Sequence, residues 1–100
     1  MNRQQIETTP VGPELDALVA EAEGIEFNPD YQCFSTSIDA AWELVEELRE
    51  KYPMTLTYLR YFEDEGFKWE AVFRRTHVFG IGDTAPEAIS RAYLLARLED

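Results

Sequence analysis

Three arginines and a histidine in the last third of the chain are candidates to hold an anion: Arg74 and Arg75 side by side, His77 two residues on from Arg75, and Arg91 on a later helix. A guanidinium can fork onto a phosphate through two parallel N–H donors. "FSTS", residues 34–37, is a second candidate, because Ser35 and Thr36 bring hydroxyls and backbone N–H groups to the positive end of a helix. Trp69 and Phe73, with Tyr31 and Phe34, offer flat faces for a base. Thr84 opens the helix that carries Arg91. Each feature also has a plainer explanation. Ser-Thr-Ser is a common cap, and adjacent strand residues such as Arg74 and Arg75 point to opposite faces. Arg91 follows Glu87 by four, so an exposed helix ion pair worth about 0.3–0.5 kcal/mol accounts for it cheaply. Trp42 and Trp69 read as core residues, and a lone His77 as structural.

Catalysis has little to stand on. His77 is the only histidine and Cys33 the only cysteine. No zinc-protease helix motif, paired cysteine ligands or nucleophile elbow occurs. The many acidic pairs lie on helix faces, where they solvate. The reading is therefore of a protein that is not an enzyme and needs no metal or cofactor.

The 100 residues suffice for one compact domain. Twenty acidic and 9 basic residues leave a formal charge of −11. Such a field disfavours DNA, RNA and anionic membranes. The charge is uneven: residues 1–65 hold 15 acids against 4 bases, and residues 66–100 hold 5 of each. An anion is thus best tolerated in the last third. The N-terminus lacks a signal-peptide core and no stretch has the length of a membrane span, so a cytoplasmic location is expected.

These residues must be positioned by a small set of elements. Residues 1–11 are polar and read as a flexible arm, with one α+β domain over residues 12–100. "VGPELDALVAEAEG" reads as a helix with Pro13 in its first turn and Gly24 as its stop. Asn-Pro-Asp at 28–30 signals a turn. "STSIDAAWELVEELREKYP" is a stronger helix, with Ser35, Thr36 and Ser37 all competent N-caps and Thr36 and Asp39 approximating a capping box. Its stripe is Ile38, Ala41, Trp42, Val45, Leu48 and Tyr52, and its wet face Glu43, Glu46, Glu47 and Glu50. "MTLTYLRYF" and "FKWEAVFRR" alternate as strands around an "EDEG" hairpin with Gly66 at its positive-φ position, and "THVFGIG" is a third strand. Gly80 and Gly82 mark a bulge or a close backbone approach. Thr84 and Glu87 form a second capping box, and Ala85, Ala88, Ile89, Ala92 and Ala96 give the last helix a small-residue face. The fold class is α+β: a three-stranded antiparallel meander packed with three helices, in the order α-α-β-β-β-α and sandwich-like (α/β/α). The order helix–strand–strand–strand–helix is shared with double-stranded-RNA-binding domains. Those need lysines at the start of the last helix, where this chain has "TAPEA".

"PELDALVAEAEG", "FSTSIDAAWELVEELR", "WEAVF" and "DTAPEAISRAYLLA", in that order, resemble the phage ABA-sandwich domain proteins. The matching runs are Leu15–Glu21, Phe34-Ser35-Thr36, Ala40-Ala41-Trp42 and Thr84–Ala92, with Ser90 where a cysteine is often expected. The family is similar to one type of Thoeris anti-defence protein. The resemblance implies a phage protein that sequesters a cyclic ADP-ribose-type or cyclic oligonucleotide signal without cleaving it. It also implies a homo-oligomer with the ligand near subunit interfaces, for which "YQCF" and the last helix are the apolar candidates. Carried over residue by residue, it raises Arg91 to a phosphate or ribose ligand, Phe73 or Trp69 to the base platform, and Ser35 and Thr36 to binding residues. The competing expectation is an acidic inhibitor or nucleic-acid mimic that engages a host protein through Glu43 to Glu50.

Overall fold

The last helix, α4 (Ala85–Leu98), is buried at every position from Ala88 to Ala96. A helix buried on all sides lies inside a domain, with neighbours all round it. A computed structural model describes residues 1–51, 57–63, 69–73 and 78–98, the side chains of Thr57 and Val78 excepted. Before α4 come α1 (Arg3–Thr8), α2 (Pro13–Glu23), α3 (Ile38–Lys51), β1 (Thr57–Tyr61), β2 (Trp69–Phe73) and β3 (Val78–Gly82). The strands form an antiparallel meander in the order β1-β2-β3. The α+β class and the order α-α-β-β-β-α read from the sequence therefore stand, with one further helix ahead of them, but the α/β/α layering does not, because the helices all lie on one side of the sheet. The layering is specific: α4 packs on β2 and β3, and α1, α2 and α3 all pack on α4. The order through the molecule is sheet, α4, outer helices.

α4 reaches the sheet because β3 has no side chain at the contact. A Cβ on Gly80 would overlap the Ala92 amide nitrogen and the Ala88 carbonyl oxygen. The close approach read from "FGIG" and from the small-residue face of α4 is thus one contact. Register aligns Leu59, Ala71 and Gly80 across the three strands. Ala71 and Phe73 are fully buried toward α4. Arg60, Glu70 and Ile81 align on the opposite face, where Arg60 and Ile81 are exposed.

Local chemistry sets several boundaries as expected. Pro13 starts α2, and Gly24 ends it in the left-handed region at φ 74°, its N–H returning to Ala20 and Glu21. Asn28 turns the chain by accepting the Asp30 N–H on its side chain at 3.0 Å.

Three expectations are corrected. The first eleven residues contain α1, with Ile6 fully buried against α4. Six residues are too few for a helix to stand alone. Burial of Ile6, worth about 1.5–3 kcal/mol, holds it in place. On α3 the Thr36–Asp39 box gives way to Ser37, one of the three expected caps, whose hydroxyl accepts the Ala40 N–H at 3.4 Å. The buried stripe of α3 is Ala41, Leu44, Val45 and Leu48. Trp42 is 41% exposed, because it stands about 100° round the helix from Ala41. Tyr52, the start of the first strand run, most of "EDEG" with Gly66, and residues 74–77 lie outside the described residues.

Candidate functional site

Arg91 projects from the N-terminal half of α4 and its side chain is 10% exposed. Its Nε and Nη2 donate to Glu87 Oε2 at 3.0 and 2.9 Å. Its Nη1 donates to the backbone carbonyl of Ile6 in α1. The expected Glu87–Arg91 pair is present, but it is buried and three-centred. Glu87 is held in turn: its Oε1 accepts the Asp83 N–H at 3.1 Å, and its own N–H donates to Thr84 Oγ1 at 3.4 Å. The capping box is thus shifted by one residue on its return arm. Thr84 is exposed and works as the cap of α4.

Arg91 and Glu87 line a cavity of about 380 Å³ between α1, β3 and the start of α4. Arg3 and Glu7 form the α1 wall, and Phe79 to Gly82 the β3 wall. Arg3 and Glu7 are themselves paired at 3.1 Å. The sequence pointed to Arg91 but not to this place. Two signals for it were readable. Ile6 is the single aliphatic residue between Met1 and Val11, and "VFGIG" carries no charge to protect a sheet edge.

The other expected site residues are not gathered here. Phe73 is fully buried in the core and presents no face to a ligand. Trp69 is half-buried, with its ring centroid 5.2 Å from that of Tyr61. Ser35 is fully buried and joins two helices. Its hydroxyl accepts the Gly12 N–H at 2.9 Å, and its own N–H donates to Asp16 Oδ1 at 2.7 Å. The Thr36 and Ser37 N–H groups both return to the Cys33 carbonyl. "FSTS" therefore spends its donors on the fold and forms no open anion cradle. Thr36 itself is exposed. Arg74, Arg75 and His77 lie outside the described residues.

Two further clusters were not foreseen. On the outer sheet face the Arg60 Nε donates to Glu70 Oε1 at 2.9 Å. The guanidinium lies 5.7 Å from the Tyr58 ring centroid and 5.6 Å from that of Phe62. Where α2, α3 and α4 meet, Glu23 and Glu47 approach one another beside Tyr93 and Arg97. Burial, and then the Glu47 charge and hydrogen bond, push the Glu23 carboxyl up to about 7. Burial also raises the Tyr93 hydroxyl, which donates to Glu47 at 3.5 Å. Arg97 donates to the Ala22 carbonyl at 3.0 Å and opposes both shifts.

Among the described residues no helix is long and apolar enough to cross a membrane. Comparison with curated proteins and with solved structures returns no match. The family model of the phage ABA sandwich domain matches residues 15–94, from the first core residue of α2 to the middle of α4, and the chain belongs to that family.

Proposed function

We propose that this phage-family protein binds a cyclic ADP-ribose-type or cyclic oligonucleotide signal in the host cytoplasm. It holds the signal without cleaving it and so blocks Thoeris-like TIR signalling, acting as a homo-oligomer. The observation that carries the reading is the cavity of about 380 Å³ beneath Arg91. Its volume lies in the range of small-ligand pockets, and an arginine stands on each of two walls. Family membership and the resemblance to Thoeris anti-defence proteins supply the ligand class. Arg74, Arg75 and His77 are kept in this reading as the residues that meet the phosphates.

The test is to incubate the protein with cyclic ADP-ribose isomers and cyclic di- and trinucleotides, remove it by filtration, then heat it and recover what it held. An intact nucleotide missing from the filtrate and returned by heat supports capture. A chemically altered product points to an enzyme instead, and every nucleotide left free overturns the reading.

One observation favours a second reading. Glu43, Glu46, Glu47 and Glu50 are all exposed along α3. An inhibitor that engages a basic host protein through this face would bind in a salt-sensitive way, and would lose binding when Glu46 and Glu50 become Gln.

A further inference from the structure

Phe79, Gly80, Ile81 and Gly82 all border the cavity. Side chains of successive strand residues alternate between the two faces of a sheet. Four consecutive residues bordering one cavity is the pattern of a cavity that runs along the strand's edge. β3 is an edge strand, since the order is β1-β2-β3. In an antiparallel ladder each residue sends its N–H and its C=O to the same side. Alternate residues of β3 thus turn a donor and an acceptor, side by side, away from β2. Among the described residues no backbone group outside the sheet hydrogen-bonds to them.

The charges of the cavity are already compensated. Arg91 is paired with Glu87, and Arg3 with Glu7. Asp83 borders the same space and has no ion-pair partner among the described residues. A phosphate entering here would meet occupied guanidiniums and a free carboxylate. A flat, uncharged ring with a donor and an acceptor on one edge would meet the bare strand edge. Phe79 and Ile81, 50% and 40% exposed, supply apolar surface beside it.

We infer that the β3 edge reads the base of the ligand, the outward N–H and C=O of one β3 residue pairing with the ring acceptor and exocyclic donor of an adenine, with the phosphates outside the cavity. This rests on the nucleotide reading above and deepens it. It reassigns the cavity from phosphate to base and makes β3 backbone, not Arg91, the ligand contact.

The experiment is a titration of the full chain, followed by backbone amide NMR, with adenosine, N6,N6-dimethyladenosine and ribose 5-phosphate in turn. Adenosine is expected to shift the amides of residues 79–82. The dimethyl analogue has no donor and should bind roughly tenfold more weakly, the loss of one hydrogen bond. Ribose 5-phosphate should leave those amides unmoved. Shifts from ribose 5-phosphate but not from adenosine overturn the inference. So do shifts that follow protein concentration and ignore adenosine, which would mean that β3 pairs with a second copy. Adenosine without effect, while the capture assay retains a cyclic nucleotide, overturns base reading and leaves capture standing. Adenosine shifts with no nucleotide captured leave the base site standing and remove the signal-capture reading.

Discussion

Arg91 donates a hydrogen bond to the carbonyl of Ile6, 85 residues earlier in the chain. With Glu87 at 2.9 Å on the other side, the guanidinium closes the N-terminal helix onto α4. This is a structural task, set beside any role in binding. Removing one partner of a buried pair leaves the other uncompensated. Arg91→Ala is expected to cost about 2–4 kcal/mol, read as a lowered midpoint in urea, and to speed amide exchange over residues 3–8. A variant with unchanged stability and unchanged exchange would show that the latch does not hold α1.

Asp16 and Ser35 are the second long-range tie. The buried Asp16 carboxylate accepts the Ser35 N–H at 2.7 Å and stands in the first turn of α2. Asp16→Ala orphans that N–H and removes a favourable charge from the helix start, at about 1–3 kcal/mol. Asp16→Asn keeps an acceptor oxygen and should recover part of the loss. Equal thermal shifts for the two variants would refute the hydrogen-bonding role.

Gly80→Ala tests the contact between sheet and helix. The new methyl would meet backbone atoms of Ala88 and Ala92, which have no rotamer to change. α4 must lift off β3, for about 2–4 kcal/mol. The companion change Ala92→Gly does not remove those backbone atoms and should not rescue it. Full rescue would mean that the approach is looser than described.

Glu23 gives the protein a pH dependence. Its carboxyl is raised to about 7 by burial and then by Glu47. The folded state therefore holds this proton more tightly than the unfolded chain does. That contribution is fully present below the unfolded value near 4.5 and is lost as pH rises through about 7. Thermal midpoints should fall between pH 5 and pH 8 in the natural protein. Glu23→Gln should flatten that fall, since the amide stays neutral. An identical slope in both proteins would rule the pair out as its source.

Much of the local structure was legible because its causes are local. Pro13, Gly24, Asn28 and Thr84 act on neighbours within five residues, so their roles show in short stretches of sequence. The strand alternation at 69–73 buries Ala71 and Phe73, and the glycine of "FGIG" meets the alanines of α4. The site was less legible. Phe73 and Ser35 have the residue types of a binding site, yet both are fully buried within the fold. A side chain's type does not reveal which element will cover it.

By itself, then, the sequence determined the order of elements, their caps and stops, and the small-residue seam of α4, all of which follow from backbone geometry and spacing along one segment. Only the tertiary structure decided that α4 is covered on every side, that α1 forms at all, and that Arg91 latches α1 to α4. Each of these depends on contacts between distant segments, such as Ile6 with α4 and Asp16 with Ser35, and the periodicity of one segment carries no information about the partner that another will bring.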